Sequence, residues 1–308
     1  MTDQLSSEIA SKFPLTTAMV NHLKESAPMV MASPIDWMLM NERDSFLERA
    51  ERLITLAEAI HPDPGNALVE YTVGYMVEQA RFLQSGDYAF SDFEQARADV
   101  YDNEEVMSGF YLAGLLLTHA FWPVHYVMHN WFLEHFVEQL NPSGKGVEIG
   151  YGHGLYLAEI LQRHPNGSVE GYDISRHSHQ FAKRLLEESG FDKSRWNLQL
   201  GDVQDGFKEI GPFDWAIFAE VLEHIPRPDE ALVAIAGIMK PNALLYAVTV
   251  VDSNAIDHLY HFKSTDEVLE MFTNCGFEVV DHLLSSVADY SHESDPTVNV
   301  SVICRKAA

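Results

Sequence analysis

Basic residues are scarce in this chain: Lys and Arg total 20 against 46 Asp and Glu over 308 residues, a formal net charge of −26 at neutral pH. Such a field repels phosphate backbones and anionic lipid surfaces, so neither nucleic acid nor a membrane is expected as a partner. Cysteine is scarcer still. Cys275 and Cys304 are too few for a disulfide framework, lie in no CxxC pair, and read as small core hydrophobes. The opening MTDQLSSEIASKFPL has no basic segment leading into an apolar core, so no secretory signal is expected. The one long apolar stretch, Phe110 to Phe136, contains Pro123, Asn130 and four histidines, and reads as buried helix rather than a membrane span. The expected location is cytoplasmic. What remains, 46% hydrophobic and 21% charged, is the composition of a folded globular chain, long enough for about two domains.

The chain divides near residue 140. From Asp36 to about Asn141 helix formers recur at helical spacing, with Leu47, Ala50, Leu53, Ile54, Leu56 and Ala57 on one face of a helix and Glu48 and Glu51 on the other. A break falls at HPDPGN, starting at His61. Residues 1–140 are therefore expected as an all-helical lid, substrate or dimerisation domain. Beyond the turn NPSGKG, short apolar runs alternate with amphipathic stretches: GVEIG at 146, SVEGYD at 168, NLQLGD at 197, FDWAIFAE at 213, ALLYAVTVV at 243, GFEVVDHLL at 276 and TVNVSVICR at 297. Helices are expected from Ser178 to Ser189 and from Asp229 to Met239. The alternation predicts for residues 141–308 an α/β domain built on a parallel sheet, its last two strands forming an antiparallel hairpin at one edge.

The chemistry gathers where strands end. Glu148-Ile149-Gly150-Tyr151-Gly152-His153-Gly154 joins the first strand to a helix, where glycines allow a sharp turn and the helix offers unpaired N–H groups to an anionic group such as a carboxylate. A dinucleotide fingerprint would need glycine at Leu155, so a nicotinamide-dependent oxidoreductase is the weaker reading. Asp173 ends the second strand 23 residues past Gly150, placed to accept ribose hydroxyls. Asp202 with Val203 follows the third strand, where a carboxylate can accept an adenine amino proton, and Glu220 closes the fourth.

These segments resemble the class I S-adenosylmethionine-dependent methyltransferases from about Gly144 to Arg305: the glycine segment at 148–154, GYDIS with Asp173 and Ile174, GD with Asp202, FDWAIFAEVLEHIPRPDEAL from Phe213, and MKPNALL at 239. The resemblance implies a Rossmann-like seven-stranded sheet with a reversed final strand. It also implies S-adenosylmethionine as cofactor, held by Glu148, Gly150, Gly152, Gly154, Asp173, Ile174, Asp202, Val203 and Glu220. Tyr151 and His153 stand where many members carry small residues, and are expected at the mouth of the site or on the substrate.

A sulfonium methyl needs a nucleophile held in line and free of its proton. Candidates for that work are Glu220, Glu223 and His224 after the fourth strand and Asn254, Asp257, His258 and His261 after the fifth, with Asp257, His258, Glu220 and Glu223 taken as catalytic. On a helical turn Asp257 and His261 would share a face as base and orienter; an extended loop would part them. No metal is assigned, although His258, His261 and Glu220 also match a two-histidine, one-carboxylate triad. His119, His125, His129 and His135 read as packing residues of an aromatic-rich helix or, alternatively, as ligands. By analogy with domains that cover such a cradle, Trp122, Tyr126 and His129 are pocket walls, with Asn254 and His261 also expected on the substrate. The expected activity is methyl transfer to a small molecule, leaning to nitrogen of an amine or guanidine because acids and imidazoles gather at the site. The alternatives are carbon or oxygen methylation of a natural-product intermediate, or an inactive cofactor-binding protein. A homodimer is left open.

Overall fold

The computed structural model describes residues 7–206, 210–290 and 296–307. Helices come first: α1 (Ser7–Lys12), α2 (Pro14–Ser26), α3 (Pro28–Asn41), α4 (Arg43–Ile60), α5 (Pro64–Ser85), several short helical turns over residues 93–111, α6 (Leu112–Phe121) and α7 (Pro123–Trp131). Helix therefore begins well before Asp36. Proline opens α2, α3, α5 and α7, where its missing N–H leaves no intrahelical bond unmade and its fixed φ suits the first turn. Asp63 adds a side-chain cap to α5, accepting from Asn66 N at 3.1 Å, so the HPDPGN break separates α4 from α5. The α4 stripe turns inward as its spacing requires, burying Phe46, Leu47, Ala50, Leu53, Ile54 and Ala57.

The strands are β1 (Lys145–Ile149), β2 (Ser168–Asp173), β3 (Trp196–Leu200), β4 (Phe213–Ala219), β5 (Met239–Val251), β6 (Phe277–Ser286) and β7 (Val298–Lys306), in the order β3-β2-β1-β4-β5-β7-β6. β7 runs antiparallel to both β5 and β6, and the other neighbouring pairs are parallel. Between strands lie α8 (Leu155–Arg163), α9 (Arg176–Glu188), α10 (Pro228–Ile238) and α11 (Thr265–Asn274).

Period-two alternation sorts each central strand between two cores. Trp215 and Ile217 of β4 face one side, with Tyr246 of β5, Phe132, Phe136, Tyr156 and the N-terminal helices. Ala216 and Phe218 face the other, with Leu232 and Ile235 of α10 and Phe272 of α11. One apolar core thus runs from α2 through α7 onto the sheet and α8. A charged cluster ties the same layers together: buried Glu159 of α8 takes Arg52 of α4, Arg163 of its own helix, and His129 Nε2 of α7 at 3.3 Å. Burial would push Glu159 up, but these partners outweigh it and hold the carboxyl well below its usual range. His129 is itself kept neutral by burial, down to about 4, so the two guanidiniums supply the charge. The fold therefore sets a helical layer against one face of the sheet, close to the carboxyl ends of its parallel strands. No helix among the described residues is long and apolar enough to cross a membrane.

Candidate active site

The chain leaves β1 through a loop that only glycine can follow at its first step. Gly150 has φ +71, and a Cβ there would lie 2.4 Å from Val221 Cγ2. Gly152, at φ +48, faces open space with nothing within 4 Å of where a Cβ would sit. Its N–H donates to Asp173 Oδ2 at 2.8 Å, while Ser175 N donates to Asp173 Oδ1 at 2.8 Å. The acid at the end of β2 thereby closes the loop after β1. Burial outweighs those donors and pushes the Asp173 carboxyl up to about 6. His153 accepts from Leu155 N at 3.1 Å, capping the first turn of α8, and burial lowers it to about 3. Gly154 lies at the start of α8, packed on Ala182.

These residues wall a cavity of about 140 Å³, with Glu148, Gly150, Tyr151, Gly152, His153, Asp173, Ile174, Asp202, Val203 and Glu220 on its lining. Glu148 is buried, its Oε2 has no hydrogen-bond partner, and burial together with the charge of Asp173 raises its carboxyl well above the usual range. A wall with three acids displaced toward neutrality suits a ligand that carries positive charge beside a sugar. The unpartnered Glu148 oxygen and the open space at Gly152 are where such a ligand fits.

A second cavity, of about 310 Å³, adjoins the first, and Tyr111, Leu115, His125, Glu220 and His224 line both. Its other walls include Met29, Tyr71, Tyr75, Trp122 and Val250, so helices α3, α5 and α6 and the sheet enclose it together. Glu220 stands at the junction with φ 55, a left-handed conformation unusual for a residue with a side chain. Burial raises its carboxyl above the ordinary 4.5.

On the lining of the first cavity, Asp257 Oδ2 accepts hydroxyls from Tyr101 and Tyr111, each at 3.0 Å, and lies 3.5 Å from His224 Nδ1. Sequence reasoning missed Tyr101 and Tyr111, which carry no motif and arrive from the helical half. The segment after β5 is irregular, so the expected pairing of Asp257 with His261 fails: His261 Nε2 bonds Asp252 Oδ1 at 2.9 Å instead. His258 lines the second cavity, whereas Glu223 is buried behind it, bonded through Oε2 to Thr249 at 2.8 Å. Of the expected substrate walls, Trp122 lines the second cavity and Tyr151 and His153 the first. Tyr126, His129, Asn254 and His261 line neither. Tyr126 lies under the Arg49 guanidinium, and Asn254 is tied to Gln79 and Glu78 of α5.

The fold is Rossmann-like, with its cavity at the carboxyl ends of parallel strands, where such sheets bind their ligands. The methyltransferase-domain family model matches residues 130–282. The ubiquinone biosynthesis O-methyltransferase of Coxiella burnetii is 29% identical over 140 residues, 45% of this chain and 57% of that protein. The chain therefore matches little more than half the length of that relative. An O-methyltransferase family protein from Burkholderia thailandensis shares the fold at 15% identity, with a TM-score of 0.52 over 80% of this chain and 72% of that one. Residues 130–282 thus form a methyltransferase domain of the class I S-adenosylmethionine-dependent kind.

Proposed function

We propose that the chain transfers a methyl group from S-adenosylmethionine to a hydroxyl of a small, largely apolar, ring-sized acceptor. The observation that carries this reading is Glu220, which lines both cavities at their junction. The first cavity holds the cofactor: Asp173 accepts from its ribose, Asp202 and Val203 border its base, and Glu148 and Glu220 face its positive charges. When bound, the cofactor supplies an electrophilic sulfonium methyl.

The second cavity takes the acceptor between the helical half and the sheet, and its apolar walls keep water from the reacting oxygen. Glu220 receives the hydroxyl proton, a task helped by burial, which strengthens its hold on a proton. Acidic composition alone leans toward an amine. A cationic amine, however, gains little from walls built of Met29, Val30, Pro34, Tyr75, Trp122 and Val250, whereas an aromatic or aliphatic ring packs against them. The Coxiella relative is an O-methyltransferase, which supports oxygen as the target.

The test is transfer of a tritiated methyl group to panels of phenols, aliphatic alcohols and amines. Hydroxyl compounds should be methylated in preference, and Glu220→Gln should lower kcat by about 10²- to 10⁴-fold while S-adenosylhomocysteine still binds. Preferential methylation of amines, or full turnover in Glu220→Gln, would overturn the proposal.

A further inference from the structure

Glu223, His224 and His258 converge although 34 residues separate the last two, because the ends of β4 and β5 lie side by side. One donor atom from each lies within 4.8 Å of the other two. The hydrogen bonds around them decide which atoms are free to bind an ion. His224 Nδ1 lies 3.2 Å from the Asp257 carbonyl oxygen and His258 Nδ1 lies 3.1 Å from the Ser253 carbonyl oxygen. A carbonyl only accepts, so both rings carry their proton on Nδ1 and present a bare Nε2. Glu223 repeats the pattern: Oε2 is held by Thr249, and the rest of the carboxyl, on a side chain with 0% exposure, lies against the Glu220 carboxyl. His224 Nε2 is 3.7 Å from Glu223 Oε1.

We propose that Glu223 Oε1, His224 Nε2 and His258 Nε2 form a binding site for a first-row divalent transition-metal ion. Every ligand has its second heteroatom fixed by a backbone carbonyl or a hydroxyl, the outer arrangement that orients metal-binding imidazoles and carboxylates. Two imidazoles to one carboxylate favour zinc, iron or cobalt over magnesium or calcium. Around an ion with bonds of about 2.1 Å the donors would stand roughly 3 to 3.5 Å apart, so small side-chain rotations close the present spacing. Three protein ligands leave coordination positions open, and His224 and His258 both line the acceptor cavity, so those positions face it. A hydroxyl bound there would lose its proton more readily, with Glu220 beside it to receive that proton; this last role rests on the hydroxyl-methylation reading, while the metal site does not.

The experiment is titration of the chelator-treated full chain with Co²⁺ alone, followed by visible absorption. One equivalent should bind with the absorption of a nitrogen-and-oxygen site, be displaced by Zn²⁺, and resist a hundredfold excess of Mg²⁺. Glu223→Gln and His258→Gln should each weaken Co²⁺ at least tenfold while S-adenosylhomocysteine still raises Tm, which shows a folded protein; His261→Gln, outside the cluster, should leave Co²⁺ binding unchanged. Absence of a Co²⁺ spectrum in the wild-type chain, or affinity untouched by both cluster variants, overturns the proposal. Neither readout depends on methyl transfer, so the metal site and the reaction stand or fall separately.

Discussion

Acidification should weaken cofactor binding, and Asp173 is the acid whose titration near pH 6 sets where. Its carboxyl stands at about 6 in the ligand-free fold against an ordinary 3.8, because burial outweighs the backbone donors from Ser175 and Gly152. Ribose hydroxyls donate to the carboxylate, so proton and cofactor compete for the same oxygens. Affinity for S-adenosylhomocysteine should therefore be flat above pH 7 and fall as pH drops through 6. At pH 5 only about one Asp173 in eleven is ionised, which corresponds to roughly a tenfold loss. The same displacement has an opposite consequence for the empty protein. A carboxyl that binds its proton more tightly folded than unfolded favours the fold at low pH, and that contribution is lost as pH rises from 3.8 to about 6. At pH 7 the ionised Asp173 costs the ligand-free fold up to about 3 kcal/mol. Asp173→Asn sheds that charge but sets its amide NH2 against the backbone N–H of Gly152 or Ser175, a loss of about 1–3 kcal/mol, so its ligand-free stability at pH 7 should stay near wild type while it binds poorly and loses the pH dependence, which separates Asp173 from its neighbour Glu148. Calorimetric titration in two buffers of different ionisation enthalpy gives both affinity and proton release. An affinity unchanged between pH 7 and pH 5, with no proton released, would refute the reasoning.

Three further outcomes follow from the packing. Gly150→Ala places a Cβ 2.4 Å from Val221 Cγ2 at φ +71, so it should lose about 1–3 kcal/mol and at least tenfold in S-adenosylhomocysteine affinity, with part of both restored by adding Val221→Ala. Glu159→Gln removes the carboxylate shared by Arg52 and Arg163, whose side chains are 44% and 39% exposed. Because those guanidiniums can turn to water, the loss in urea unfolding should be about 1–3 kcal/mol, below the cost of breaking a fully buried pair. Tyr101→Phe and Tyr111→Phe should each cost about 1 kcal/mol; the double variant should cost more than their sum, since Asp257 would then keep neither hydroxyl.

The sheet was legible because each strand of the α/β half is a short apolar run bounded by turn residues, and acids at strand ends declare themselves by position. Asp173, Asp202 and Glu220 needed only the alternation of elements to be placed on one edge. The three earliest helices were less legible, for α3 carries Pro34 within it and apolar residues nearly all round. Distance along the chain hid the rest. Asp257 and His261 look like a pair at helical spacing, but the irregular path after β5 sends one to His224 and two tyrosines and the other to Asp252. His129 shows the same limit: its helical spacing placed it on a face with His125, yet the charged cluster around Glu159 draws it away from the cavity that His125 lines. Glu223, His224 and His258 are brought together by strand adjacency, which no local spacing records.

The most direct measurement is thermal unfolding of the full chain with S-adenosylhomocysteine and, in parallel, with NAD. At 100 times its dissociation constant a ligand adds about 2.7 kcal/mol, a rise in Tm of a few degrees for a chain of this size. The account predicts that rise with S-adenosylhomocysteine alone, and its loss in Asp173→Ala. No rise, or a rise with NAD only, would contradict the assignment of the glycine-loop cavity to a sulfonium cofactor.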